Sequence, residues 1–336
     1  MPAEQETGSR QNCHSALFFI NSHHKTWILT FFEYNYSIFI TETRITAMQK
    51  SYFAVAGHRF CIEMPDGDIL SLVPSLEPFA TTDGDSLFTI TVDNSLIPSW
   101  QGIKIGHFPC PSTTFDVYRQ ESGAYRILVS DEQDIPCAFI ISDDNHEHFT
   151  VATRGDMKQR SFGLGNSLMV IYTMCTASHN TLLMHSAVVE KGGKGYMFVG
   201  ASGQGKSTHC NMWVEHIEGS TLINDDNPVI RIADDGTPIV YGSPWSGKRP
   251  IYKNVHYPIG GIAAIEQDKE NKMRQERIPT AFGIILSSCS TLKFDKKIHM
   301  EICNTITKVL ERTPVHTLFC RPDKEAAEVS SKTFGA

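Results

Sequence analysis

No run of about 18 apolar residues occurs in this chain, so no membrane-spanning helix is expected. No C-x-x-C pair occurs either. The nine cysteines (13, 61, 110, 137, 175, 210, 289, 303 and 320) are odd in number and dispersed. That suits a reducing cytoplasm better than a disulfide framework or a structural zinc site. None of the 14 histidines stands in an H-E-x-x-H or similar ligand spacing. The 30 Lys and Arg residues are scattered and outnumbered by 37 Asp and Glu, for a net charge of −7. Without a basic stripe, no nucleic-acid partner is expected. What is present is 41% hydrophobic residues over 336 positions, enough for sizeable cores and, at this length, two domains.

The stretch that carries chemistry is Gly200 to Thr208, GASGQGKST, which fits G-x-x-x-x-G-K-S. Gly200, Gly203 and Gly205 let the backbone turn with N–H groups inward, where side chains would block a phosphate. Ala201, Ser202 and Gln204 complete the cradle, Lys206 can reach the outer phosphates, and the Ser207 hydroxyl can ligate Mg²⁺. The apolar run Tyr196 to Val199 predicts a buried strand leading in. Lys206 to Ile217 predicts a helix whose N-terminus faces the phosphates, with Gly219 as its C-cap.

Downstream, Thr221 to Asn224 predicts a strand ending in Asp225-Asp226. The spacing from Lys206 leaves room for one helix and a tight return, which predicts a βαβ unit with parallel strands. The aspartates would then lie at the sheet edge that holds the phosphate loop, able to bind Mg²⁺ or to take a proton from an incoming hydroxyl. The doublets Asp143-Asp144 and Asp234-Asp235 read as turns. Upstream, Thr181 to Val189 predicts a strand containing His185, and the turn Glu190 to Lys194 makes a hairpin of it with the strand into the loop. On spacing alone His185 reads first as a core histidine.

Around this centre the chain divides into three stretches. Residues 1–47, rich in aromatics (Phe18, Phe19, Trp27, Phe31, Phe32, Tyr34, Tyr36 and Phe39), lack the pattern of a signal peptide, and Met48 looks like an ordinary start. They are expected to be a non-native or disordered extension with no role in the fold. Residues 48–160 predict a mostly antiparallel β domain with strands at 88–92, 114–118, 125–129, 138–141 and 148–151. Its His146-Glu-His148 reads as a solvated turn. Gly165 to His179 predicts a buried helix near the start of a nucleotide-binding domain spanning 161–336.

His185, GASGQGKS and LINDD together resemble the HPr serine kinase/phosphorylase family and, more distantly, ATP-dependent phosphoenolpyruvate carboxykinase. The family shows a histidine about fifteen residues before the loop, the loop G-x-S-G-x-G-K-S, and an apolar strand ending in two aspartates. The resemblance spans roughly residues 180–330. Gly242-Ser-Pro-Trp-Ser-Gly-Lys248 and Pro314 to Asp323 look like a divergent group of HPr-kinase-like proteins. It implies an α/β P-loop kinase domain of that type, with His185 near the metal and γ-phosphate. It also implies Asp225 or Asp226 as base toward the acceptor without assigning which; Asp225 is taken here as the base, and Asp226 and Ser207 as the metal ligands. The family's E-[IV]-R-G signature, which carries an arginine linked to phosphate exchange, is absent, so HPr itself is not implied as acceptor. Lys248 and Arg249 are candidates for the missing positive charge.

The expected function is ATP- and Mg²⁺-dependent transfer of the γ-phosphoryl group to a serine-type hydroxyl of a protein or small metabolite. The alternative is a nucleotide-binding accessory or regulatory protein without turnover. The intact Lys206, Ser207 and aspartate pair favour the enzyme. Decarboxylating activity does not suit this loop and length. Self-association into a homo-oligomer is left open.

Overall fold

The computed structural model describes residues 17–22, 25–30, 39–43, 48–65, 68–110, 112–247 and 249–336. The chain separates into two compact units, Met1–Met48 and Gln49–Ala336. In the first, strands Leu17–Ser22, Lys25–Thr30 and Phe39–Thr43 pair antiparallel in sequence order. The expectation of a non-native or disordered extension covers all of residues 1–47, of which those beyond these three strands lie outside the described residues.

The second unit is mixed α/β, built on two nine-stranded sheets. The first sheet orders its strands as Ala80–Thr81, Gln49–Val55, His58–Met64, Phe88–Val92, His148–Thr153, Pro136–Ser142, Tyr125–Asp131, Thr113–Arg119 and Ile103–Pro109. The five strands read from alternation are all present. The sheet is not a purely antiparallel meander, however: Phe88–Val92 runs parallel to both His58–Met64 and His148–Thr153. That central strand shows the period-2 pattern of a half-packed strand, with Phe88, Ile90 and Val92 buried.

Helix α1 (Met157–Thr176) starts eight residues before the expected Gly165, because Asp156 and Gln159 form a reciprocal capping box ahead of it. It lies close on the first sheet: a Cβ on Gly163 would come 2.5 Å from the Cys137 carbonyl oxygen. Tyr172 reaches both halves of the unit, donating to Val55 O at 3.0 Å and packing its ring 5.1 Å from that of Trp245. One apolar core therefore runs from Phe60 and Ile90 through Leu168 and Ile171 to Leu183, Val199, Ile262 and Ile302. The boundary expected at 160/161 falls inside the first turn of α1. From Leu164 on, the helix buries residues on more than one face, among them Leu168, Val170, Ile171, Tyr172 and Met174.

The second sheet comprises β1 (Thr181–Leu183), β2 (Ser186–Lys191), β3 (Lys194–Val199), β4 (Thr221–Asp226), β5 (Val229–Ile232), β6 (Pro238–Tyr241), β7 (His256–Gln267), β8 (Lys272–Gln275) and β9 (Val315–Cys320). Their order is β1-β5-β6-β7-β3-β2-β4, with β9 pairing β7 and β8. Helices α2 (Lys206–His216), α3 (Ile278–Ser288), α4 (Lys296–Arg312) and α5 (Lys324–Phe334) complete the unit. Along β3, Tyr196 and Phe198 face a core shared with Trp213 of α2 and Ala326 and Ala327 of α5. Met197 and Val199 face the main core instead. Among the described residues, no helix is long and apolar enough to cross a membrane.

Two expectations about this sheet need correcting. The strand expected over 181–189 breaks at Met184-His185, where the chain leaves β5 as partner and joins β3 and β4. And β3, α2 and β4 do not form a βαβ unit of adjacent strands. Strand β2 lies between β3 and β4, antiparallel to both. The two outer strands thus run parallel to each other without touching, because the hairpin β2–β3 already occupies that side of β3.

Candidate phosphate-loop site

Strand register brings the site together. Ser186 at the start of β2 is level with Val199 at the end of β3 and with Asp226 at the end of β4. One residue beyond these positions stand His185 on β2 and Gly200 on β3. Two positively directed strand ends and one strand start therefore share a single edge, where open α/β sheets place their ligands. The insertion of β2 does not disturb that placement, since an antiparallel strand contributes its first residue to the edge where its neighbours end.

The chain from Val199 to α2 turns in the left-handed region at Gly200 (φ 148°), Gly203 (φ 80°) and Gly205 (φ 109°). A residue with a Cβ is strained there, so the three glycines are required by backbone conformation. Ala201, Ser202, Gly203, Ser207 and Thr208 are exposed. Gln204 folds back on the loop, and its Oε1 accepts from Ala201 N at 2.6 Å.

Lys206 opens α2, and its Nζ donates to Gly200 O (2.9 Å) and Ala201 O (3.2 Å) and lies 3.0 Å from His185 Nε2. Nδ1 of His185 lies 3.0 Å from Asp226 Oδ1. An ammonium can only donate, so these partners assign Nε2 as acceptor and Nδ1 as the protonated nitrogen that donates to Asp226. Asp226 also accepts from Asn227 Nδ2 at 2.8 Å on its other oxygen. Burial holds the Lys206 ammonium below its ordinary lysine value, against the pull of Asp226 and Asp225.

Helix α2 is fixed behind the loop by a buried polar group. Trp213 Nε1 donates to Ser330 Oγ of α5 at 2.8 Å, and His209 Nε2 lies 3.0 Å from the same oxygen. Burial lowers the His209 imidazole to about 4, which keeps it neutral in this apolar setting. The helix ends at Ile217. Gly219 (φ 78°) instead serves the turn Ile217–Ser220 that starts the return to β4, so it is not the C-cap expected from sequence.

The two aspartates differ in surroundings. Side chains of successive strand residues point to opposite faces. Asp225 is buried, with its side chain only 4% exposed, and Arg249 Nε donates to its Oδ2 at 2.8 Å. Arg249 Nη2 lies 2.8 Å from the same oxygen at ion-pair distance without hydrogen-bond geometry, and Nη1 donates to Asn211 Oδ1 of α2. Asp225 Oδ1 is buried with no partner. Asp226 is more open, with its side chain 28% exposed.

The loop after β6 brings Arg249 in. Its Ser243 is fully buried and donates to Asn227 O at 2.6 Å, while Asn224 Nδ2 donates to Ser243 Oγ at 3.2 Å. At Gly247 a Cβ would stand 3.1 Å from Asp225 O, so this loop lies directly over the aspartates. Of the two cations singled out from sequence, Arg249 reaches the site and Lys248 lies outside the described residues. Asn211 and Asn227 carry no signal in the sequence, because single polar residues become partners only when distant segments meet. Both doublets read as turns are turns: Asp143 Oδ1 accepts from Glu147 N and Asp235 Oδ1 from Thr237 N.

No family model matches the chain, and no curated protein matches it. Among solved structures, it is similar to the Hpr(Ser) kinase/phosphatase from Coxiella burnetii. The TM-score is 0.27 at 10% identity, covering 45% of this chain and 95% of that one. The relation is a distant structural one and carries no residue role over to this chain.

Proposed function

We propose that this protein is an ATP-dependent phosphotransferase that moves the γ-phosphoryl group to a serine-type hydroxyl of a protein or small metabolite. The observation that supports this best is the chain of contacts Lys206–His185–Asp226 at the strand edge beside the glycine-rich loop. The loop from Gly200 to Thr208 holds the phosphates through backbone N–H groups, and Lys206 neutralises charge on the outer ones. Asp226 is the base: its carboxylate is partly exposed and oriented by His185 on one oxygen and Asn227 on the other. Asp225 orients the site instead, because one of its oxygens is taken by Arg249 and the other is buried.

When bound, magnesium would supply charge neutralisation at the outer phosphates. Ser207, exposed at the first turn of α2, is suited to hold it, while Asp226 is kept for the proton. Among the described residues, no three His, Cys, Asp or Glu side chains cluster as a metal cage. As the hydroxyl proton passes to Asp226, the Nδ1–H of His185 keeps that carboxyl in place.

The test is incubation with γ-labelled ATP, Mg²⁺ and host lysate. Label appearing on a protein or small molecule supports the reading. ATP bound without any transfer favours the accessory nucleotide-binding alternative, and no ATP binding at all overturns both.

A further inference from the structure

Gln204 folds its side chain back over the glycine-rich turn. Its carboxamide oxygen accepts the Ala201 N–H at 2.6 Å, and a Cβ on Gly200 would stand only 2.7 Å from that same oxygen. The Gln204 oxygen therefore lies within the turn of the loop and against its first residue. The Ala201 carbonyl is engaged too, accepting from Gln204 N and from Lys206 Nζ, both at 3.2 Å. Lys206 itself is turned back onto the carbonyls of Gly200 and Ala201. Donor and cation, the two groups that an anion needs, are both satisfied from within the loop.

The physical reason for such an arrangement is general. A glycine-rich turn that points its N–H groups inward leaves donors without partners until a ligand arrives, and such donors are costly to leave unmade. Ser, Thr or Ala at this position offers no acceptor that reaches back three residues. A glutamine does.

We infer that Gln204 is an internal plug of the phosphate loop: its side-chain oxygen competes with the incoming nucleotide for the Ala201 N–H and so sets the affinity of this loop for phosphate groups. The inference rests on the proposed phosphate-loop reading and adds to it a residue that weakens binding. On nucleotide binding the carboxamide leaves the cradle, and a phosphate oxygen replaces a neutral acceptor with a charged, stronger one.

The experiment is calorimetric titration of Mg·ATP into the full chain and into Gln204→Ala, Gln204→Asn, Gln204→Glu and Lys206→Ala. Gln204→Ala removes the competitor, and Gln204→Asn is too short to reach. Each should bind about threefold to tenfold more tightly, the size of one net hydrogen bond. Gln204→Glu puts a fixed negative charge in the cradle beside Lys206 and should bind more than about tenfold more weakly. A merely structural role for Gln204 would weaken binding in all three variants. If Gln204→Ala and Gln204→Asn bind no more tightly than the parent while Lys206→Ala loses binding, the plug is wrong and the phosphate loop stands. If the parent binds no Mg·ATP and Gln204→Ala binds none either, the loop reading fails and takes the plug with it.

Discussion

Arg249 donates through Nε to Oδ2 of Asp225 at 2.8 Å, joining the loop after β6 to the end of β4. Asp225 has almost no exposed side-chain surface, whereas Arg249 keeps about a third of its own. Losing the cation therefore leaves a carboxylate buried without a counter-charge. Arg249→Ala should lower stability by about 2–3 kcal/mol, below the ~3–5 kcal/mol of a fully buried pair because Arg249 is partly solvated. Thermal unfolding should show a drop of several degrees, and Asp225→Asn in the same chain should restore part of it. An Arg249→Ala protein as stable as the parent would mean that the pair contributes nothing.

The different surroundings of the two aspartates predict different defects. Asp226→Asn should lower turnover at saturating Mg·ATP by about 10²–10⁴-fold, the range for loss of a general base. Asp225→Asn should act mainly on stability, through Arg249. The controls are Asp234→Asn and Asp235→Asn in the β5–β6 turn, which should leave steady-state kinetics unaltered. Turnover lost in the turn variants but kept in Asp226→Asn would reject the proposed role of the strand edge.

Lys206→Ala removes an ammonium at the mouth of the loop and should abolish phosphoryl transfer while strongly weakening ATP binding. Stability should change little. The variant loses two hydrogen bonds to loop carbonyls, but it is also relieved of keeping a half-buried charge. Turnover close to that of the parent would show that this lysine does not face the nucleotide.

A pH dependence follows from His58, which is buried where the first sheet meets β1. Its Nε2 lies 2.8 Å from Thr181 Oγ1, and burial, Arg231 and His179 lower its imidazole to about 3. The folded protein thus holds His58 neutral, while the unfolded chain protonates it below pH 6.5. Between about pH 6.5 and 3 the unfolded state binds the extra proton, so stability falls as pH falls across that window. One such group contributes a slope of up to about 1.4 kcal/mol per pH unit. Urea unfolding at a series of pH values should give a shallower acid slope for His58→Gln than for the parent. Equal slopes would place the acid sensitivity elsewhere, with the buried His209 as the next group to test.

Short-range pattern was enough for the local parts of this molecule. Alternation marked Phe88–Val92 and residues 125–129 of Tyr125–Asp131, and the turn at Glu190 to Lys194 marked the β2–β3 hairpin. The glycines at 200, 203 and 205 marked the loop, since their positive φ angles are a property of the chain next to itself. That Gly200 and the aspartates would share one edge was legible from strand direction, whereas His185, read by spacing as a core residue, was not placed there. Sequence could not say that β2 would lie between β3 and β4, because strand order is settled by competition among distant partners. Nor could it say that α1 would bind both sheets into one core. The different surroundings of the two aspartates were likewise hidden. Adjacent carboxylates look identical in sequence, and only the pleat of β4, turning one toward Arg249 and the other toward His185, made them different.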